Sequence, residues 1–146
     1  GEGFTINFPL PARSGEEVYL AAFDQVIAPI VRTYQPELVL ISAGYDGHFS
    51  DQLCSMLLRG NSYAEMAMRL KGMAEEYCGG KMMAALEGGY NLVGIAISIT
   101  NTIAVMAGEE VRLEEDVDIE TIHPSSRRGM EIVESTRETL SEYWPI

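Results

Sequence analysis

The length, composition and charge of the chain are those of one acidic globular domain. Its 146 residues are 47% hydrophobic, so the chain can bury a core and is not of the disordered class. The formal net charge of −12 argues against nucleic-acid binding, which needs a basic face, and no apolar run is long enough to predict a membrane span. With only Cys54 and Cys78, no disulfide framework is indicated, and a reducing, cytoplasmic location is expected.

The first half of the chain alternates between strand and helix patterns. Apolar residues at every second position from Phe4 to Phe8 indicate a strand with one buried face. Ser14 to Glu17 has the residues of a capping box, which predicts a helix that continues to about Tyr34, with Pro29 kinking it or bounding its last turns. The apolar run from Leu38 to Ile41 is typical of a parallel strand that is buried on both faces.

Two further segments are predicted to be helical. The short piece from Gln52 to Leu58 is the first of them. A second capping box, Ser62 to Glu65, predicts the start of a longer helix that continues to about Tyr77. Gly79 and Gly80 then fit a left-handed C-terminal cap, which ends that helix.

The rest of the chain holds a strand, a buried helix, an acidic segment and a last helix. The strand covers Lys81 to Leu86 and the apolar helix Leu92 to Ala107. Residues 109–120 carry seven acidic side chains and are predicted to be a solvated connector rather than a metal site. Pro124 is predicted to open an amphipathic helix that ends near Trp144. The alternation of strand and helix along the chain predicts an α/β fold with a parallel sheet and crossover helices.

Chemically useful side chains follow the strand at residues 38–41. Ligands of open α/β sheets bind outside the carboxyl ends of the strands, and Asp46, His48 and Asp51 lie there. Carboxylate and imidazole suit zinc, either with Asp46 and His48 both binding or with Asp51 binding alongside ligands from elsewhere. The alternatives without a metal are a turn-capping carboxylate for Asp46 and a histidine without ligand role for His48.

A tyrosine follows the strand at residues 81–86. Gly88 and Gly89 precede Tyr90, and glycines let a ligand or a backbone approach closely. A phenol placed at a strand end can donate a hydrogen bond to a developing oxyanion. The alternative is that Tyr90 is a phenol of the core.

Roughly residues 1–107 resemble the catalytic domain of the zinc-dependent histone deacetylase family, which includes bacterial and archaeal members and the acetoin-utilisation and acetylpolyamine deacetylases. Four colinear segments carry the resemblance: Gly1–Pro11, Pro36–Asp46, Asp51 with Leu57-Leu58, and Leu86–Leu92. The turn sequence Leu-Glu-Gly-Gly-Tyr is closer to the class II and prokaryotic branch.

The resemblance implies a fold and a set of site residues. The fold would be the arginase-deacetylase type, a three-layer α/β/α sandwich with a mainly parallel sheet. Asp51 would be an aspartate ligand of the catalytic zinc, and Tyr90 would stabilise the tetrahedral oxyanion. Gly88 and Gly89 would line the acyl channel, with Leu58 on its rim. The Asp46-Gly47-His48 pattern would then match the family's Asp-x-His ligand pair only by coincidence, because the family places that pair upstream.

The sequence also departs from the family. It has no adjacent His-His pair, no upstream Asp-x-His ligands and no potassium loops. We therefore expect residues 1–146 to be the C-terminal portion of one deacetylase domain, with 1–107 matching the family and 108–146 forming the connector and the last helix. The parent would hydrolyse an acetyl-amide such as acetyl-lysine or an acetylpolyamine through a zinc-activated water. The chain alone would be inactive, because one ligand cannot hold catalytic zinc and no base is present.

The expected partners follow from the same resemblance. They are an acetylated amine substrate and the missing N-terminal part of the same domain, and a homo-oligomer stays open. Two other classes of function also stay open at this point. One is a catalytically dead acyl-binding or interaction module of the same fold. The other is an unrelated α/β ligand-binding domain of nucleotide type, which is weakened by the lack of a G-x-G-x-x-G motif or a P-loop.

Overall fold

Helices form most of the regular structure, and two parallel strands lie among them. The computed structural model describes residues 1–110, 112–115 and 124–146. In chain order the elements are α1 (Glu16–Ala22), a π-helical turn (Phe23–Ile27), α2 (Ala28–Tyr34), β1 (Val39–Ala43), α3 (Gly60–Cys78), β2 (Met82–Leu86), α4 (Leu92–Ala107) and α5 (Ser126–Leu140).

Strands β1 and β2 form the parallel pair that the sequence predicts. Their register runs from Val39 opposite Met82 to Ala43 opposite Leu86. Helix α3 connects them, so the unit is a strand–helix–strand crossover. The two strands therefore end at the same edge, where the loops that follow them are neighbours.

The predicted strand from Phe4 to Phe8 is wrong, because this segment has no strand structure. Its alternation has another cause: Ile6, Phe8 and Leu10 pack, partly buried, against the core between α1 and α5. An extended segment can bury one side in this way without a ladder partner. Pro9 within it also has no N–H to donate to a ladder.

The helix predicted up to Tyr34 forms, but it contains a π-helical turn at Phe23–Ile27. Pro29 is near the start of α2, directly after this turn. Since proline has no N–H to donate, the regular helical ladder is interrupted at this point. The predicted N-terminal cap is wrong, because Gly15 is the N-cap residue and the Ser14 hydroxyl donates instead to the carbonyl of Pro11 at 2.8 Å.

Helix α3 begins slightly earlier than predicted, with Arg59 as its N-cap residue. The Ser62 hydroxyl accepts a hydrogen bond from the Arg59 N–H at 3.0 Å, so this serine has the reciprocal position of a capping box rather than the first one. Gly79 ends the helix with φ of 64°, which confirms the predicted left-handed cap.

The short helix predicted for Gln52 to Leu58 is wrong. Leu57 and Leu58 instead make isolated parallel bridges with Gly15 and His48. These bridges fasten the segment to the start of α1 and to the loop after β1.

The main apolar core lies between α1, the π-helical turn and α5. Its buried members are Val18, Ala22, Val26, Ile30, Val133, Leu140 and Trp144. The Trp144 indole N–H donates to the carbonyl of Gly3 at 2.7 Å, and its ring meets the Phe4 ring edge-on at 5.1 Å between centroids. The first and last residues of the chain therefore lie side by side.

One face of the two-stranded sheet is bare. Leu40 of β1 and Met83 of β2 are exposed there, whereas Ile41 and Ala84 are half-buried and line a cavity shared with α3. Parallel sheets normally carry helices on both faces. None of the helices in the described part of the chain has both the length and the apolar character that crossing a bilayer requires.

Candidate active site at the strand ends

Two loops meet at the carboxyl edge of the sheet: the β1 loop, residues 44–51, and the β2 loop, residues 87–91. Backbone hydrogen bonds join them. The Tyr45 N–H donates to the carbonyl of Gly88 at 2.9 Å, and the Glu87 N–H donates to the carbonyl of Ala43 at 3.0 Å. These bonds extend the pairing of the strands and place the predicted site residues of both loops in one region.

The Asp51 carboxylate is buried and engaged by backbone N–H groups. Its Oδ1 accepts from the Leu53 N–H at 2.9 Å, and its Oδ2 accepts from the Tyr90 N–H at 2.7 Å. Burial alone would raise the pKa of Asp51, but hydrogen bonds from the backbone, those of Leu53 and Tyr90 first, outweigh it and lower the pKa. Asp51 is thus an ionised carboxylate whose two oxygens already have protein donors.

The Asp46 carboxylate has the opposite environment. It is half-buried, and it makes no hydrogen bond or ion pair with any residue that the structure describes. It lies directly over Gly88, where a Cβ atom would be 2.8 Å from the Asp46 Cγ and 2.9 Å from each carboxylate oxygen. The glycine thus makes room for a carboxylate whose oxygens remain available to a ligand.

The two aspartates differ in their hydrogen bonds. Asp51 accepts one backbone N–H on each oxygen, so each oxygen keeps a further lone pair for a metal ion, and metal-ligating carboxylates are commonly hydrogen-bonded in this way. The role of Asp51 as the metal ligand therefore stays a prediction. The contact from the Tyr90 N–H comes from a residue far along the chain and has no signal in the sequence around Asp51.

His48 is a structural histidine of the interior, only 2% exposed. Its Nε2 donates to Glu115 Oε1 at 2.8 Å, and its Nδ1 accepts from the Ser50 hydroxyl at 2.8 Å and from the Ser50 N–H at 3.3 Å. This pattern assigns the proton to Nε2. Because both ring nitrogens are engaged, the arrangement agrees with the reading of His48 as a histidine without ligand role.

Glu115 is the residue that sequence reasoning misses. The acidic connector is predicted to be solvated, yet the Glu115 side chain is buried and also accepts from the Gly60 N–H at 2.7 Å. Desolvation alone would raise the pKa of Glu115, but the hydrogen bonds from His48 and Gly60 outweigh it and lower the pKa. Within a run of acidic residues nothing distinguishes this one. Val111 and residues 116–120 of the predicted connector lie outside the described residues.

Tyr90 presents its phenol to the surface. The side chain is 56% exposed, which contradicts the alternative of a core phenol. Its neighbour Asn91 caps α4, because the Asn91 Oδ1 accepts from the N–H groups of Val93 and Gly94 at 3.1 and 2.9 Å. The Asn91 Nδ2 also donates to the Ser50 carbonyl at 3.1 Å. Tyr90 is therefore held between a helix cap and the β1 loop, with its hydroxyl available.

The residues predicted to line an acyl channel have different surroundings. Gly89 has φ of 128°, and a Cβ atom there would be 2.8 Å from the Ile95 side chain, so both backbone angle and space require glycine. Leu58 is 2% exposed and packs against Tyr45 and Tyr63. Its position on the rim of an acyl channel stays a prediction.

A cavity of about 330 Å³ lies behind the β1 loop. Asp46, Leu58, Tyr19 and Tyr63 are among the residues that line it. Burial first, and the electrostatic influence of Cys54 and Asp46 after it, raise the pKa of Tyr19 to about 12, and burial likewise raises the pKa of Tyr63. Both phenols are therefore protonated donors at neutral pH. The Tyr63 hydroxyl is buried there without a hydrogen-bond partner among the described residues.

A complete metal site is not found among residues 1–110, 112–115 and 124–146, where no three or more histidine, cysteine and acidic side chains are grouped suitably for a metal ion. Catalytic zinc takes three protein ligands and keeps a fourth position open. Asp51 fits such a site as a single carboxylate ligand, because each of its oxygens accepts one N–H and keeps a further lone pair.

Comparison with known proteins gives consistent matches. The sequence pattern of the histone deacetylase domain matches residues 1–106. A probable deacetylase of the archaeon Archaeoglobus fulgidus is 46% identical over 110 residues, which are 74% of this chain and 30% of the relative. The chloroplastic histone deacetylase 10 of Oryza sativa subsp. japonica is 41% identical over 109 residues, 75% of this chain and 25% of the relative. The chain thus spans less than a third of the length of these relatives.

Solved structures give the same result. The HDA15 HD domain superposes on this chain with a TM-score of 0.81 at 34% identity, and the match covers 99% of this chain and 36% of the HDA15 chain. The histone deacetylase Clr3 superposes with a TM-score of 0.79 at 28% identity, and the match covers 97% of this chain and 22% of the Clr3 chain. The likeness confirms the predicted α/β fold class.

Proposed function

The chain belongs to the histone deacetylase domain family, and on this basis we propose that it is part of a zinc-dependent deacetylase that hydrolyses an acetyl-amide. Its fold is the arginase-deacetylase type, as in the solved deacetylase domains that it resembles. The observation that carries the proposal is the pair formed by the Asp51 carboxylate and the exposed Tyr90 phenol, which the Tyr90 N–H joins at 2.7 Å. They follow two neighbouring parallel strands, at the edge where such sheets bind ligands.

Asp51 is the metal ligand that this chain would contribute. The N–H groups of Leu53 and Tyr90 hold its carboxylate in place, one on each oxygen, and each oxygen keeps a further lone pair for zinc. Zinc bound there would act as a Lewis acid toward the amide carbonyl of the substrate.

Tyr90 would stabilise the transition state. When the amide carbonyl is attacked, negative charge develops on its oxygen, and a phenol aimed at this oxygen donates a hydrogen bond that strengthens as the charge grows. Its effect therefore falls on turnover more than on substrate binding. An acetylated lysine or an acetylated polyamine has the amide that this chemistry needs.

The chain alone is expected to be inactive. Its described residues offer one expected zinc ligand, Asp51, where catalytic zinc needs three protein ligands, and its sequence has no adjacent histidine pair to serve as general base. Activity is therefore a property of the complete deacetylase that contains this chain.

The test is a comparison of variants of that complete deacetylase with an acetylated amine as substrate. Removing one oxyanion donor typically costs about 10²–10³ in turnover, so Tyr90→Phe should lower kcat by about this factor with little change in KM or zinc content. Asp51→Ala should lose zinc and activity together. Tyr34→Phe is the matched control, because Tyr34 is an equally exposed tyrosine at the end of α2, and it should keep full turnover.

Two outcomes would contradict the proposal. Unchanged turnover in Tyr90→Phe would remove the catalytic role of the phenol and favour a catalytically dead module of the same fold. Full zinc retention in Asp51→Ala would show that the metal does not depend on this carboxylate.

A further inference from the structure

Asp51 closes a tight turn of four residues that begins at His48, at the end of the β1 loop. Its N–H donates to the carbonyl of His48 at 2.9 Å, and the Phe49 N–H donates to the carbonyl of Leu58 at 2.8 Å. The remaining N–H of the turn, that of Ser50, has a side-chain acceptor instead, because it donates to Nδ1 of the His48 ring at 3.3 Å. The Ser50 hydroxyl donates to the same nitrogen at 2.8 Å. The path of the backbone into Asp51 therefore depends on Nδ1 of His48 being an acceptor.

The position of the proton on the His48 ring decides whether Nδ1 can accept. A neutral imidazole has one N–H and one acceptor nitrogen, and the hydrogen bond made by one nitrogen selects the tautomer. The Glu115 Oε1 lies 2.8 Å from Nε2, and an ionised carboxylate can only accept. Glu115 therefore keeps the proton on Nε2 and leaves the lone pair of Nδ1 to the two donors of Ser50. With the proton on Nδ1, the Ser50 N–H would face another donor.

The pair formed by Glu115 and His48 is itself held by two helices. The His48 ring is buried, and the start of α4 lies against it, since a Cβ atom on Gly94 would be 2.6 Å from Nδ1. The Oε1 of Glu115 also accepts from the Gly60 N–H at 2.7 Å, at the start of α3. The pair thus connects the turn that carries Asp51 to the helices on either side of it. Hydrogen-bonded groups behind a metal ligand orient the ligand and increase metal affinity.

We infer that Glu115 is a positioning residue for Asp51: by holding the His48 proton on Nε2, it maintains the turn that directs the Asp51 carboxylate. The inference rests on the proposed function of Asp51 as the zinc ligand that this chain contributes. Loss of a group that supports a ligand typically lowers metal affinity by about 10–100-fold. Because Glu115 acts through the ring and the turn, we expect the lower end of this range.

The test compares two substitutions of Glu115 in the complete deacetylase. Glu115→Gln keeps an acceptor oxygen that can take both the His48 Nε2–H and the Gly60 N–H, as Oε1 does, whereas Glu115→Met has a similar length but only a weak acceptor. The zinc dissociation constant, measured by competition with a chelator, should rise about tenfold in Glu115→Met and less than about threefold in Glu115→Gln. Glu114→Met is the matched control, because Glu114 is the exposed neighbour, and it should bind zinc as the unsubstituted protein does.

The comparison separates a positioning role from a merely structural one. Both substitutions of Glu115 remove its negative charge and are expected to lower the melting temperature, so a merely structural effect would weaken zinc binding in both. Only the loss of the acceptor lets the His48 proton move to Nδ1. The expected result is therefore a zinc affinity that follows the acceptor and not the melting temperature.

A second readout needs neither zinc nor activity. Nitrogen-15 NMR of histidine rings distinguishes a protonated Nε2 from a protonated Nδ1, and a His48→Gln variant identifies the signals of this ring. The proton should be on Nε2 in the zinc-free unsubstituted protein and in Glu115→Gln, and it should be partly on Nδ1 in Glu115→Met. If Glu115→Met yields no folded protein, the unsubstituted protein still decides, because a proton on Nδ1 there would overturn the inference.

Two results of the zinc measurement would also overturn the inference. One is an equal rise of the dissociation constant in Glu115→Gln and Glu115→Met, and the other is an unchanged dissociation constant in Glu115→Met. If Asp51→Ala retains its zinc, the proposed function of Asp51 fails instead. The ring spectra then still decide whether Glu115 sets the tautomer of His48.

Discussion

At the scale of single residues, the position of the Asp46 carboxylate depends on a glycine of the neighbouring loop. A Cβ atom on Gly88 would lie 2.8 to 2.9 Å from three atoms of this carboxylate, closer than real Cβ contacts. The φ of Gly88 is outside the left-handed region, so alanine meets no backbone strain there. Any effect of alanine at this position is therefore steric and acts on Asp46.

Gly88→Ala should displace the Asp46 carboxylate, and with it the β1 loop that also carries Asp51, and so lower the turnover of the complete deacetylase. Gly72→Ala is the control, because Gly72 lies in the exposed middle of α3 and a Cβ atom there meets nothing within 4 Å. That control should keep its turnover and raise stability by about 0.5–1 kcal/mol, the usual gain for glycine replaced by alanine in a helix. Steady-state kinetics and thermal melts measure both effects. Full turnover in Gly88→Ala would show that the activity does not depend on the space that Gly88 leaves for Asp46.

The sequence predicts the environment of some of these residues and not of others. Tyr90 is predictable as an available phenol, because a Gly-Gly pair at a strand end precedes it, and the structure leaves it exposed. The different hydrogen bonding of Asp46 and Asp51 is not predictable, since both are aspartates in one polar loop. The difference arises because the Tyr90 N–H of the other loop binds Asp51, whereas Gly88 of the same loop lies against Asp46. Contacts of this kind arise only when the two strands pair.

At the scale of elements, Glu115 ties the acidic connector to the start of α3 and to the β1 loop. It accepts from the Gly60 N–H at the helix start and from the His48 ring. Its position near the N-terminus of α3 is also favourable for a negative charge. Because the folded protein lowers the pKa of Glu115 below its ordinary value of 4.5, this carboxylate adds stability above that pH. The contribution is lost as the pH falls through the lowered pKa.

Glu115→Gln should therefore destabilise the protein at neutral pH and weaken its response to acid. The lost charge-assisted hydrogen bonds are expected to cost about 1–3 kcal/mol in the free energy of unfolding. On acidification below about pH 4.5 the variant should lose less additional stability than the unsubstituted protein. The reason is that glutamine does not take up the proton that the Glu115 carboxylate takes up on unfolding. Urea denaturation over a series of pH values measures both. Glu114→Gln, the exposed neighbour, should behave as the unsubstituted protein, and an equal effect of both substitutions would contradict the argument.

Elements with strong periodicity are predicted well, and those that depend on distant partners are not. The helices α3 and α4 and the two paired strands follow from their own apolar patterns. The segment from Phe4 to Phe8 has the pattern of a strand, but a ladder partner is a property of the whole fold. The piece from Gln52 to Leu58 is fixed by bridges to Gly15 and His48, which no local propensity encodes.

At the scale of the whole molecule, α5 belongs to the same core as the region that matches the family. The match ends at residue 106, yet Val133 and Leu140 of α5 are buried against α1 and the π-helical turn. A Cβ atom on Gly129 would lie 2.7 Å from the Val18 side chain, so the two helices are in close contact. The C-terminal helix is therefore a structural part of the domain, as the sequence analysis expects from its amphipathic pattern.

Leu140→Ala should lower the free energy of unfolding by about 2–5 kcal/mol, the range for a leucine truncated in a packed core. Met130→Ala serves as the control on the same helix, because Met130 is exposed, and its cost should be clearly smaller. Chemical denaturation of the two variants gives the comparison. Equal costs would mean that α5 lies on the surface of the domain without contributing to its core.

The bare sheet face also concerns the whole molecule. The sequence of β1 is apolar on both sides, yet in this chain Leu40 and Met83 are exposed. The relatives are more than three times as long as the matched region. Their chains therefore have further polypeptide, and polypeptide of this kind is what covers the second face of a parallel sheet. The bare face thus supports the proposal that activity belongs to a more complete domain.

The bond between Trp144 and Gly3 allows the order of the elements to be changed without changing their neighbours. In residues 1–146 produced on their own, a short linker between the two ends would close the backbone into a ring. New ends would then be opened between Gly79 and Gly80, where the chain is exposed and a Cβ atom meets nothing within 4 Å. Circular permutation succeeds at such sites. In the permuted chain β2 and Tyr90 would come first, and β1 with Asp46 would follow the linker and precede α3, while the edge between the two loops would be assembled from the same pair of strands.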